Sequence, residues 1–262
     1  MSFEWHEIEQ GVAAGCSLLT PKERAITDLI RSGRYEQEIM QFVCDLVEPE
    51  SRCFDIGGHY GYYMMALSKL ATKGAVHTFE PVERHAERLR QAITRSELHD
   101  TQIHQVAVAG ECGELNLRYA ADEGDDSMAY LDAYGGVDTA AAHTHYQSFK
   151  SVTVKTITLN HAAEDFGAPQ FIKIDAEGAE GAILEGGKEL IASAKPRLLI
   201  EVHGIHEAMH CSDVLQSLDY RAILLSKQKT TLPVLWASRS DTDAVKIVEK
   251  VLESKPTLFF DH

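Results

Sequence analysis

From Arg52 onward the chain repeats one unit: a short apolar run, a loop carrying glycine or acid, then a helical pattern. Cys53-Phe54-Asp55-Ile56 reads as the first strand and Gly61 to Ala71 as its helix, closed at Lys73-Gly74. Ala75 to Phe79 is the second predicted strand, and Val82 to Thr94 an amphipathic charged helix. Ile103 to Val108 follows as a third strand and Leu115 to Tyr119 as a short extra one. The rhythm resumes at Val152 to Ile157, Phe171 to Ile174 and Leu198 to Val202, with predicted helices at Ala179 to Leu184 and His206 to Leu218. Arg221 to Leu225 and Val234 to Ala237 read as the last strands. Alternation of this kind predicts an α/β fold with a mainly parallel sheet covered on both faces. Ligands of such sheets sit at the carboxyl ends of the strands, where strand order reverses.

Two stretches fall outside the rhythm. Residues 1–50 are predicted helical, with Thr20-Pro21 as an N-cap and first-turn proline and an apolar stripe at Ile39, Phe42, Val43 and Leu46. Residues 120–150 crowd Asp122, Glu123, Asp125, Asp126 and Asp132 and read as an inserted loop or flap. The organisation expected is a helical extension or lid over 1–50 and one α/β domain over 51–262.

Composition narrows the function. Lys plus Arg number 25 against 40 Asp plus Glu, a net charge of −15, which disfavours nucleic acid and anionic membrane as partners. The longest stretch without a charged residue, Ile56 to Ser68, is thirteen residues, short of the roughly 20 of a membrane span. The five cysteines form no CxxC pair and the first ten residues carry no signal-peptide core, so a cytoplasmic protein without disulfides is expected.

The strand ends carry the chemistry. Gly57, Gly58 and Gly61 let the loop after the first strand, which also holds His59 and Tyr60, turn tightly and approach a ligand closely. The following helix offers its first amides to a carboxylate or phosphate. Glu80, at the end of the second strand, lies 19 residues after Gly61, near the offset at which an acid reads a ribose diol. A GxGxxG fingerprint fails, because His59 and Tyr62 stand where glycines would be needed. That disfavours a nicotinamide cofactor and suits S-adenosylmethionine, which has a ribose but no pyrophosphate.

Phe54 to Tyr63 (FDIGGHYGYY), Val76 to Pro81 (VHTFEP), Val154 to Asn160 (VKTITLN) and Phe171 to Glu180 (FIKIDAEGAE) resemble the FkbM family of S-adenosylmethionine-dependent methyltransferases. The Leu199 to His203 strand fits too, and the likeness spans about Tyr35 to Leu225. The resemblance implies a Rossmann-like class I methyltransferase domain with a seven-stranded sheet, acting on a hydroxyl of a sugar, polyketide or similar small molecule. It implies that Asp55 and Gly57 hold the methionine end, that Glu80 with Pro81 holds the ribose, and that Ala107 borders the adenine. Asp175 would face the methionine amine or the acceptor, and Tyr35-Glu36 would form a lid. Gly58-His59 stands where the family usually has Ala-Asn, and Asn160 where it usually has Asp, so the acceptor side is expected to differ.

Methyl transfer to an alcohol needs a base or a metal to deal with the hydroxyl proton. His203, at the end of its strand, and His59 are the candidate bases, beside Asp175. His203, His206 and His210 make an H-x2-H-x3-H set that could join Asp175 or Glu177 around a divalent ion, but the helix should carry His210 away, so a metal-free site is expected. Glu177 and Glu180 are expected to cap the helix. N-methylation and a catalytically silent cofactor-binding scaffold remain as rivals. A homodimer through the first helices stays open.

Overall fold

A computed structural model describes residues 3–22, 25–120, 129–134, 149–224, 232–238, 240–244 and 246. Its centre is a seven-stranded sheet built from β3 (Arg52–Ile56), β4 (Ala75–Phe79), β5 (Thr101–His104), β10 (Phe171–Ile174), β11 (Arg197–Val202), β12 (Tyr220–Leu224) and β13 (Leu232–Ser238). The spatial order is β12-β13-β11-β10-β3-β4-β5. All neighbours from β11 to β5 are parallel, and β13 runs antiparallel to both β11 and β12. Strand order reverses between β3 and β10, so the two carboxyl ends meet at a switch point.

The strands are buried on both sides, which is why they read as continuous apolar runs. Side-chain alternation sends Cys53 to one core and Phe54 and Ile56 to the other. The first core holds Phe42 of α2 (Gln37–Leu46), Met64, Met65 and Leu67 of α3 (Tyr62–Leu70), and Leu89 of α4 (Glu83–Arg95). The opposite core takes Leu159 from α5 (Leu159–Phe166), Leu184 from α6 (Glu180–Glu185), Ile191 from α7 (Lys188–Ala194) and Leu215 from α8 (Ile205–Ser217). No helix among the described residues is long and apolar enough to cross a membrane. All five cysteines are free thiols.

Three expectations need correction. Residues 1–50 are not wholly helical: β1 (Phe3–Glu7) and β2 (Ser17–Pro21) form an antiparallel hairpin before α1 (Ala25–Arg31) and α2. Thr20 and Pro21 therefore end a strand instead of capping a helix. Hydrophobic period misled there, because the hairpin alternates Trp5 and Leu18 against α4, with Arg88 over the Phe3 ring and Arg95 over Trp5. Ile103 to Val108 is not one strand, because a turn from Val106 N to His104 O (2.9 Å) ends β5 and sends β6 (Ala107–Val108) to another sheet. That second sheet, in the order β6-β9-β7-β8, comprises β6, β9 (Phe149–Ile157), β7 (Gly113–Ala120) and β8 (Ala129–Leu131). The acidic run Asp122 to Asp126 and the segment 135–148 of the expected flap, like Leu225, lie outside the described residues.

Candidate active site

The carboxyl edge of β3 continues into the Gly57–Gly61 loop. Gly57 has φ +85°, and a Cβ built on it would stand 1.9 Å from the carbonyl oxygen of Asp175, so only glycine fits. Gly58 and Gly61 pack under Leu89, and Gly61 opens α3. His59 adopts φ +44° and sets its ring against that of Tyr60, with centroids 3.8 Å apart and planes tilted by 42°.

Glu80 holds this loop. Its Oε2 accepts the backbone N–H of His59 (3.0 Å) and its Oε1 that of Val82 (2.9 Å), with His85 Nδ1 at 3.6 Å. Burial alone would raise its pKa, but His85 and the two amides hold it below the usual carboxylate range. Each carboxylate oxygen keeps a second lone pair for a ligand hydroxyl.

Glu80 borders a cleft walled by Gly57, Pro81, Ala107, Asp175 and the apolar side chains of Phe79, Val108, Leu117 and Leu131. Five expected residues thus converge: Gly57, Glu80, Pro81, Ala107 and Asp175. The Leu117 and Leu131 part of the apolar wall was not foreseen, because it comes from β7 and β8 of the second sheet. An acid beside apolar walls, with a glycine at the floor, fits the ribose and adenine of a nucleoside cofactor.

Asp55 lies deeper, fully buried and outside the cleft lining. Strand register places it between Thr78 and Lys173. Thr78 Oγ1 donates to its Oδ2 at 3.4 Å, and Lys173 Nζ stands 3.7 Å from its Oδ1. Burial pushes its pKa up to about 6 against the pull of Lys173. Lys173 also reaches Asp175 Oδ2 (3.3 Å), donates to the Gly57 carbonyl (3.1 Å) and stacks over the Tyr63 ring. Burial works against the Lys173 charge, but Asp175 and Asp55 keep it firmly protonated. Sequence reasoning passed over Lys173, although a lysine inside the four-residue buried strand FIKI is itself an anomaly.

Tyr35 and Glu36 do not line the cleft. Glu36 accepts the Tyr63 hydroxyl, Tyr35 packs edge-on against Tyr62, and Glu36 lines a small pocket with Lys173 and Glu201.

On the far side of Asp175 sits His203. Its Nδ1 hydrogen-bonds Glu180 Oε1 at 2.9 Å, and its Nε2 lies 3.7 Å from Asp175 Oδ1 and 3.5 Å from Glu177 Oε2. Burial works against charge on His203, but the Glu180 hydrogen bond and the surrounding carboxylates push its pKa up to about 10. A cationic imidazole has no lone pair to offer, so His203 in this state is a donor and not the expected base. Burial pushes the Glu177 carboxyl up to about 7, with His203 opposing. Glu177 does not cap the helix; it sits at φ +51° and turns toward His203. Glu180 does not cap it either: its Oε1 accepts the amides of Ala176 (3.2 Å) and Gly178 (3.1 Å), which lie in the loop before the helix, and the N-cap residue Ala179 makes no side-chain cap. His206 is exposed and His210 pairs with Glu185 at 3.7 Å, so the H-x2-H-x3-H set does not converge.

The strand order, the glycine loop and the acid after β4 define a class I methyltransferase fold. The chain belongs to the FkbM methyltransferase family: the family described as "Methyltransferase FkbM domain" matches residues 55–224. It is 26% identical over 161 residues to the 2-O-methyltransferase NoeI of Sinorhizobium fredii, covering 59% of this chain and 65% of that protein. It is 26% identical over 177 residues to the hexuronic acid methyltransferase AglP of Haloferax volcanii, covering 66% and 65%. The matched part thus spans about 65% of the length of these curated relatives. A solved structure of methyltransferase FkbM from Methylobacillus flagellatus superposes with a TM-score of 0.52 at 16% identity, covering 81% of this chain and 52% of that one, a likeness of fold.

Proposed function

We propose that this chain transfers the methyl group of S-adenosylmethionine to a hydroxyl oxygen of a small molecule, with a sugar as the leading acceptor class. The observation that carries the reading is the glycine loop pinned to Glu80 at the switch point, beside a cleft with apolar walls. The relatives' names, a 2-O-methyltransferase and a hexuronic acid methyltransferase, favour oxygen over nitrogen and sugars over other acceptors.

When bound, the cofactor supplies an activated methyl group on a sulfonium. Glu80 takes the ribose hydroxyls on its free lone pairs, and Phe79, Val108, Leu117 and Leu131 enclose the adenine. Asp175 faces the cationic end of the cofactor at the boundary with the acceptor. Glu177, His203 and the His59 ring form the acceptor side. His203, held as a donor by Glu180, orients the acceptor's oxygen. The hydroxyl proton leaves toward the carboxylates of this side. Tyr35-Glu36 acts as a fixed buttress at Tyr63 in place of a lid, and the α/β domain over 51–262 carries the catalytic edge.

The test is calorimetry followed by turnover. S-adenosylhomocysteine should bind and NADH should not, and labelled methyl should pass to a hydroxylated sugar such as a uronic acid. Binding of NADH with no response to S-adenosylhomocysteine refutes the reading.

A further inference from the structure

We propose that Asp175, Glu177 and His203 form a divalent-cation site of the Mn²⁺ or Mg²⁺ class that takes the acceptor's hydroxyl as a further ligand. Its acceptor half rests on the methyl-transfer reading; its metal half does not.

One ligand atom from each of the three residues lies within 4.8 Å of the others. The 3.7 Å from His203 Nε2 to Asp175 Oδ1 and the 3.5 Å to Glu177 Oε2 are too long for hydrogen bonds. They suit atoms that share an ion: with metal–ligand distances near 2.1 Å, neighbouring ligands stand about 3.0–3.4 Å apart. A contraction of a few tenths of an ångström brings both His203 pairs to that spacing.

Two of the three ligands are braced from behind. Asp175 spends Oδ2 on Lys173 and turns Oδ1 to the centre. His203 spends Nδ1–H on Glu180 and turns Nε2 to the centre, where a bound ion takes the place of the proton that Nε2 carries when the site is empty. A carboxylate behind a histidine is the arrangement that orients imidazole ligands in metal sites. Glu180 is itself fixed by the Ala176 and Gly178 amides.

A second observation comes from charge. Glu180 is fully buried, and its Oε2 has no hydrogen-bond partner among the described residues. The carboxylates of Asp175, Glu177 and Glu180 all face one imidazole, while Lys173 lies on the other oxygen of Asp175. A carboxylate oxygen buried without a partner beside two further acids is costly unless a cation offsets it.

Two carboxylates and one imidazole suit a hard or borderline ion, and three protein ligands leave positions open for water and substrate. His203, Asp175 and Glu177 are each partly solvent-accessible, at 17%, 31% and 30%, so the open side can be reached. A hydroxyl on the ion gives up its proton to water more readily. Its oxygen–carbon bond then forms as the carbon–sulfur bond breaks, and the sulfonium becomes a neutral thioether.

The test titrates Mn²⁺ into the whole chain and follows the spin-resonance signal of free Mn²⁺, with S-adenosylhomocysteine affinity measured on the same samples. One ion per chain is expected. Glu177→Gln should weaken uptake at least tenfold, and Glu180→Gln, which touches no ion, by about 10- to 100-fold. Both variants should still bind S-adenosylhomocysteine, showing that they fold. A wild type that binds S-adenosylhomocysteine but takes up no Mn²⁺ overturns the metal site alone. Equal uptake by Glu177→Gln overturns it too. Uptake of Mn²⁺ without binding of S-adenosylhomocysteine supports the site and overturns the methyl-transfer reading.

Discussion

Glu80 does two jobs, and replacing it should show both. Its carboxylate pairs with the amides of His59 and Val82, and in the proposed cofactor complex it also takes the ribose. Glu80→Ala leaves two amides unsatisfied at a position only 4% exposed. Buried groups stripped of a partner cost about 1–3 kcal/mol each, so the folded state should lose roughly 2–6 kcal/mol. For a chain of this size that is a fall in Tm of about 4–24 °C. Glu80→Gln keeps one good acceptor and the volume, so its fall should be smaller. Loss of one charge-assisted bond to the ribose, about 1.5–3 kcal/mol, weakens binding roughly 10- to 150-fold. The assay is a thermal melt beside calorimetry with S-adenosylhomocysteine, on both variants. An unchanged Tm in Glu80→Ala refutes the anchoring of the loop. An unchanged affinity in Glu80→Gln refutes the ribose contact and leaves Glu80 as a helix-start acid.

Three other outcomes are expected. Gly57→Ala should abolish S-adenosylhomocysteine binding, because its methyl would stand 1.9 Å from the Asp175 carbonyl; calorimetry showing wild-type affinity would contradict the loop geometry. Lys173→Met strips Asp55 and Asp175 of their shared cation and should cost about 3–5 kcal/mol in a denaturant melt, with Asp55→Asn recovering part of it; no loss would mean the lysine is not paired. His77 is pushed down to about 4 by burial, with His104 beside it, so the unfolded chain takes up a proton near pH 6.5 that the folded chain refuses. Stability should therefore fall as pH drops from 6.5 toward 4. Asp55, raised to about 6, works in the opposite direction in that window, so the comparison is with His77→Phe, whose pH slope should be shallower.

The alternation of strand and helix was legible because both faces of the sheet are buried, and the switch point followed from it. The ends of β3, β4 and β10 were legible for a local reason: Gly57, Glu80 and Asp175 each sit where a run of apolar residues stops. The hairpin of residues 3–21 was not legible. Its two short strands face α4 through long-range contacts such as Ser17 N to Ser96 Oγ, which no local period encodes. The second-sheet part of the cleft's apolar wall was hidden for the same reason, since Leu117 and Leu131 reach the cleft only after β6 leaves the main sheet to pair with β9. The charge state of His203 was not legible because it depends on its neighbours. His203 is twenty-three residues from Glu180 in sequence and 2.9 Å from it in space.

Four contacts set the position of the cofactor loop before any ligand arrives. Gly57 N donates to Phe79 O, Asp175 N to Ile56 O, His59 N to Glu80, and Lys173 to Gly57 O. Two come from β4 or its end and two from β10, so the loop is clamped between the strands on either side of β3. A loop held this way has little conformational freedom left to lose on binding, which keeps the entropic cost of cofactor capture low. The same clamp explains why a lysine is tolerated in the middle of a buried strand. Only a long cationic side chain from position 173 can reach Asp55, Asp175 and the Gly57 carbonyl together. The acid beneath the loop, the acid at the acceptor boundary and the loop itself are therefore fixed by one residue, and moving β10 would move all three.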